Sequence, residues 1–267
     1  MTQLETGVVS ALAADGADLD AMITGLDDDG WRTPTPAPGW TVAHQVAHLA
    51  ATFKLAGLAA AEPDTFTAIA GRLSPDFDAN VRGAMAPYLD GPPAVLLSRW
   101  QEEKAFAEKA LSALPGDRIV PWLVRPLPAA VLATAGMMEL FGHGQDIADG
   151  LGIRRVHTDR IRYLVEFGVR TWDFGYQARG LATPDVELRF ELTAPSGAAW
   201  AFGPPECTEV VSGPAVDLCL LFTRRRHPDD LRLTATGTEA PHWLTIAQAY
   251  RGPAGEGRQP GQFPPAV

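Results

Sequence analysis

Two short segments hold residue types and spacings that can do metal chemistry. The first runs Trp40-Thr41-Val42-Ala43-His44-Gln45-Val46-Ala47-His48-Leu49-Ala50, and the second Glu139-Leu140-Phe141-Gly142-His143-Gly144-Gln145-Asp146-Ile147-Ala148. His44 and His48 are four apart, as are Glu139 and His143, and Asp146 follows three residues later. On a helix such spacings put each set on one face. Polar side chains planted in an apolar stripe need a partner, and a divalent cation is one such partner. Two faces of this kind meeting in a bundle core can supply two or three ligands from opposite sides. Two histidines and one glutamate with an open position form a catalytic zinc pattern, and nickel, iron or manganese also accept N/O donors. Water or substrate would complete the shell, and the cation would act as a Lewis acid or lower the pKa of what it binds. Spacing also fits a structural histidine pair and a plain Glu139–His143 side-chain pair. It leaves open whether His44, His48 or both bind.

Other reactive residues point less clearly. Cys207 and Cys219 make neither a disulfide framework nor a thiolate metal site, and Cys219 sits in the apolar run Val216-Asp217-Leu218-Cys219-Leu220-Leu221-Phe222. Arg224, Arg225 and Arg226 fall at a helix end, where cations favour the dipole. His157, His227 and His242 lie near helix ends.

The elements that must position these residues read as helices first. Val8, Leu12, Leu19, Met22 and Leu26 recur at helical spacing over residues 3–26, and Asp27-Asp28-Asp29-Gly30 stops that helix. Thr41 is a natural N-cap for a helix to about Ala61. Residues 66–89 are interrupted by Ser74-Pro75 and Pro87, which suggests a bent connection. Pro93 opens a helix ended by Pro115-Gly116; Pro128 opens the one carrying Glu139 and His143; Thr158 caps a further helix to about Arg179. Beyond Thr183-Pro184 the period falls from 3.6 to 2. Residues 186–192 alternate strictly, Ser196-Gly197 turns the chain, and residues 198–202, 209–212 and 231–235 read as further strands. Pro214 opens a helix to about Thr223, and His242 starts a last one to about Tyr250. The expected architecture is α+β: a helical bundle over 1–182, then a small α+β domain over 183–267.

With 32 acidic against 22 basic residues the net charge is −10, which argues against nucleic acid and anionic membranes as partners. No apolar run reaches the roughly 20 residues of a membrane span, and Met1-Thr2-Gln3-Leu4-Glu5 lacks the basic start of a signal peptide. A cytoplasmic protein, as a monomer or small homo-oligomer, is the expectation.

Pro38-Gly39-Trp40-Thr41-Val42, then His48-Leu49-Ala50, resembles the first motif of the DinB-like superfamily, and within it the mycothiol-dependent maleylpyruvate isomerase family. Residues 139–148, followed by Leu151-Gly152, resemble that family's second motif. Val211-Ser212-Gly213-Pro214-Ala215 and the Arg224-Arg225 helix end resemble its C-terminal part, and the stretch from Trp243 to Arg258 resembles an actinobacterial metal-binding subfamily. The resemblance spans nearly the whole chain. It implies a four-helix-type bundle followed by a small, sterol-carrier-like α+β domain. It implies metal ligands at His48, Glu139 and His143, and an arginine that holds an anionic substrate or thiol, for which Arg224 or Arg225 is the choice and Arg82 and Arg258 the alternatives. His44 departs from the motif, where an acidic or other polar residue is commoner, and is a candidate extra ligand, general base or orienting donor. Asp146 is read as an orienter of a ligand or a capping contact. The implied cofactors are a divalent metal, zinc first, and a small thiol such as mycothiol; the implied partner is a small-molecule substrate. The implied chemistry is thiol-assisted isomerisation or thiol transfer. Two readings remain beside it: a thiol-independent Lewis-acid enzyme that cyclises, dehydrates or hydrolyses a natural-product intermediate, and a non-catalytic metal-binding protein.

Overall fold

The computed structural model describes residues 3–123, 125–250 and 252–263, with side chains from residue 7 onward. It divides into two compact units, Met1–Arg155 and Val156–Val267.

The first unit is built on four long helices: α1 (Gln3–Ile23), α3 (Val42–Ala61), α6 (Pro93–Ser112) and α7 (Ala129–Leu151). Each buries an apolar stripe at helical period. On α3 that stripe is Val42, Val46, Leu49 and Phe53; on α6 it is Leu96, Trp100, Ala107 and Leu111. The Phe53 ring meets Trp100 edge-on with centroids 5.1 Å apart. Trp100 Nε1 donates to Asp20 Oδ1 at 2.7 Å, and Lys104 pairs with the same carboxylate, which ties α1 to α6. α3 packs on α6 and α7, and α1 on α7.

Shorter elements join them. α1 ends at Ile23, three residues before its expected end, because Gly25 turns the chain at φ +87°. The acidic run, expected to stop that helix, instead begins the next one. Asp27 accepts the Gly30 N–H at 2.8 Å and starts the five-residue α2 (Asp28–Arg32). Residues 66–89, expected as a bent connection, form α4 (Pro63–Ala70) and α5 (Phe77–Leu89), with Pro87 inside the last turn of α5. Strands β1 (Ile119–Val120) and β2 (Leu127–Pro128) pair antiparallel just before α7.

In the second unit the expected helix over 158–179 is broken. A 3-10 turn at Asp159–Ile161 leads into α8 (Arg162–Arg170), and α9 (Phe174–Gln177) follows. Strands β3 (Arg189–Thr193), β4 (Ala199–Phe202), β5 (Val210–Pro214) and β6 (Thr234–Thr236) form one sheet in the order β4-β3-β5-β6, with β3 and β5 parallel. Helix α10 (Ala215–Phe222) follows β5, and α11 (Ala240–Ile246) ends four residues before Tyr250. The period change after residue 182 marks the strands, whereas the compact unit begins at Val156. The reason is local packing. The Phe222 ring occupies the space beside Gly168, where a Cβ would sit 2.3 Å from it, and Trp243 Nε1 donates to the Trp172 carbonyl at 2.8 Å. These contacts tie α8 and α9 to the elements that follow. The result is a helical bundle followed by a small α+β unit.

Candidate metal centre

Thr41 begins α3 with extended backbone, and α3 and α7 lie side by side. That pairing brings His48 of α3 against Glu139 and His143 of α7. Glu139 Oε2 lies 3.5 Å from His48 Nε2 and 3.2 Å from His143 Nε2. One ligand atom from each of the three residues falls within 4.8 Å of the others. Four ligands at about 2.0–2.1 Å around a tetrahedral zinc stand about 3.3 Å from one another, so the two measured separations fit such a shell. The Glu139 side chain is 23% exposed, His48 20% and His143 14%. Burial pushes the Glu139 carboxyl up, but contacts with His143 and then His48 outweigh it and hold the group well below the usual carboxylate range. It is an anion at neutral pH, as a ligand must be.

Residues outside the cluster fix its protons. Gln45 is fully buried; its Nε2 donates to Thr35 Oγ1 at 2.8 Å, and Thr35 Oγ1 in turn donates to the Trp40 carbonyl at 2.9 Å. This chain leaves Gln45 Oε1 facing His143 Nδ1 at 2.5 Å. An amide oxygen only accepts, so Nδ1 carries the proton and the neutral ring keeps its lone pair on Nε2, toward Glu139. A lone pair facing a carboxylate needs a cation or a proton between them, and the donor set therefore fits a divalent metal.

The loop before α3 closes over the rings. Thr35 N donates to the Trp40 carbonyl at 2.8 Å, and Pro34 bridges to Thr41. Gly150 of α7 makes room for this loop, since a Cβ there would lie 2.8 Å from the Pro34 carbonyl oxygen. Trp40 is thereby held over the histidines, 5.9 Å from the His143 ring at an interplanar angle of 19° and 5.5 Å from the His48 ring. Trp40, Gln45 and Thr35 were given no role by their spacing. The available signal for Gln45 was a polar residue on the buried side of an otherwise apolar helix.

His44, the candidate extra ligand or base, stands apart from the cluster. Its Nδ1 accepts from the Thr41 backbone N–H at 3.3 Å and lies 2.8 Å from Thr41 Oγ1. A backbone N–H can only donate, so the ring proton of neutral His44 sits on Nε2, and that edge donates rather than accepts. Asp146 is buried in α7 at 1% exposure. Arg224 and Arg225 belong to the second unit. Arg224 adopts φ +59° and its Nη2 donates to the Gly255 carbonyl at 3.3 Å, while Arg225 Nη1 donates to the Thr223 carbonyl at 2.5 Å. Arg258 has a buried Nε with no hydrogen bond, and Arg82 lies on α5. Among the described residues no helix is long and apolar enough to cross a membrane.

Bundle and cluster together define the class: a helical bundle with an N/O donor set on two packed helices, followed by an α+β unit. Residues 12–148 match the model of the mycothiol maleylpyruvate isomerase N-terminal domain. The chain is 39% identical over 250 residues to the uncharacterized proteins MT0041 of Mycobacterium tuberculosis strain CDC 1551 / Oshkosh and Rv0036c of strain ATCC 25618 / H37Rv, covering 94% of this chain and 97% of each relative. Crystal structures of the mycothiol-dependent maleylpyruvate isomerase and of a histidine-to-alanine variant share the fold at TM-scores of 0.52 and 0.53, with 17% identity over 83% of this chain and 91% of those chains. The protein belongs to the mycothiol maleylpyruvate isomerase family.

Proposed function

We propose that the protein is a divalent-metal-dependent enzyme that activates a small thiol of the mycothiol type for isomerisation or thiol transfer on a small organic substrate. One observation carries this reading: the His48, Glu139 and His143 donor atoms meet at 3.2 and 3.5 Å, spacings suited to one cation. Three protein ligands leave a further position open, as in catalytic rather than structural zinc sites. Zinc is the first choice, and nickel, iron or manganese suit the same donors. When bound there, the cation would lower the pKa of a coordinated thiol or water and polarise a substrate oxygen.

The protein's own groups carry the remaining work. Glu139 supplies an anion that offsets the charge of the site. Gln45 holds His143 in the tautomer that presents Nε2. Trp40 covers the histidine rings on one side. His44 presents Nε2–H as a hydrogen-bond donor. We assign to Arg224 and Arg225 the holding of an anionic group of thiol or substrate. Both residues lie just past the C-terminus of α10, where Arg224 takes the left-handed position of the helix cap and its N–H donates to the Leu221 carbonyl.

The test is turnover of maleylpyruvate, and of a set of electrophiles, by zinc-loaded protein with and without mycothiol. The expected result is turnover that needs the thiol and is abolished in His48→Ala. Metal-dependent turnover without thiol would instead favour Lewis-acid tailoring chemistry. No turnover of any kind would favour a binding role.

A further inference from the structure

His44, one turn before His48 on α3, lines a shallow, open pocket of the first unit together with Arg82, Met85, Ala86, Leu89 and Asp90. Met85, Ala86 and Leu89 form an apolar wall on α5, and Arg82 and Asp90 stand at its two ends. Arg82 and Asp90 are eight residues apart, a rise of about 12 Å along the helix, so a cationic and an anionic side chain flank an apolar stretch. Among the described residues Arg82 makes no hydrogen bond or ion pair. In a chain of net charge −10, an unpaired guanidinium in a concavity concentrates anions where the rest of the surface repels them. His44 adds its Nε2–H edge, because Thr41 occupies the other ring nitrogen. His48 follows one helical turn later, about 6 Å along α3.

We propose that this pocket binds a small organic monocarboxylate, its carboxylate held at Arg82 and its short apolar body lying on Met85, Ala86 and Leu89, with the His44 Nε2–H as an added donor. Asp90 at the far end disfavours a second negative charge. Binding uses no metal ligand, so the inference stands apart from the proposed turnover, and the pocket is not offered as the site for maleylpyruvate, which carries two carboxylates.

The test uses crotonate as the probe and its neutral amide, crotonamide, as the control, followed by ligand-observed NMR and by the ring signals of His44. The proteins are the wild type, both chelator-stripped and zinc-loaded, and Arg82→Gln. Arg82 is exposed, so its replacement leaves the core intact. Expected are millimolar binding of crotonate with or without zinc, a shift of the His44 ring signals, no comparable binding of crotonamide, and affinity at least tenfold weaker in Arg82→Gln, as for loss of a charge-assisted contact. The proposal is overturned if wild type does not bind crotonate, if Arg82→Gln or crotonamide matches it, if the His44 signals stay still, or if stripping the zinc removes the binding. Elemental analysis of the same samples reports on the metal centre separately, so failure of that reading and failure of this one are told apart.

Discussion

At the scale of single residues the account turns on proton positions. Gln45 decides which nitrogen of His143 faces Glu139, because its amide is oriented by Thr35 and the Trp40 carbonyl. Replacing it with leucine leaves His143 Nδ1 without its acceptor. Zinc affinity, measured by competition with a chromophoric chelator, should fall roughly ten- to a hundredfold, the usual cost of losing a partner that orients a ligand; unchanged affinity in a folded Gln45→Leu protein would contradict the role. The i,i+4 spacings showed in the sequence that a cluster was possible, but not which histidine of α3 would join it. His44 and His48 share a face and look equivalent by period alone. What separates them is a cap: Thr41 is the N-cap and His44 stands three residues on, the position where a capping box places a side chain that returns to the N-cap amide. That pattern was present in the sequence, disguised because histidine fills the place usually taken by glutamate or glutamine.

At the scale of elements, two close contacts set how pieces meet. Alanine is a better helix former than glycine by about 1 kcal/mol, yet Gly150→Ala should lose about 1–2 kcal/mol of stability, because the new methyl meets the Pro34 carbonyl oxygen and one backbone must shift. Chemical denaturation would measure it, and a stabilised Gly150→Ala would refute the close approach. In the second unit, the Glu209 carboxylate accepts the N–H groups of Thr238, Glu239 and Ala240 at the start of α11. The Ala240 and then the Thr238 hydrogen bonds hold its pKa below the ordinary value, against a smaller opposing effect of burial. A carboxyl whose folded pKa is depressed contributes its stability above the unfolded value, about 4.3, and loses it as pH falls through the folded one. The melting temperature of Glu209→Gln should therefore lie below wild type at pH 7, with the gap closing in acid below about pH 4. A gap independent of pH would count against the cap. Neither contact was legible in the sequence, because each joins residues 29 or more positions apart whose types carry no periodic signal.

At the scale of the whole molecule, hydrophobic period identified most of the helices of the bundle and the alternating strands, since each buries one face. It placed the change of unit at residues 182/183, where alternation begins, whereas the compact units part at Arg155 and Val156. Helices that pack on a sheet keep a helical period, so a shift in period dates the first strand rather than the edge of the unit. Membership of the family follows from the match over residues 12–148 and from relatives 39% identical along most of the chain. The metal reading is the hinge of the functional account. The most direct measurement is the elemental metal content of untagged wild-type protein and of His48→Ala. The account predicts about one equivalent of divalent metal in the wild type, as for a single three-ligand site, and its loss in the variant. Wild-type protein that takes up no metal even after zinc reconstitution, or a His48→Ala protein that keeps the full amount, would contradict it.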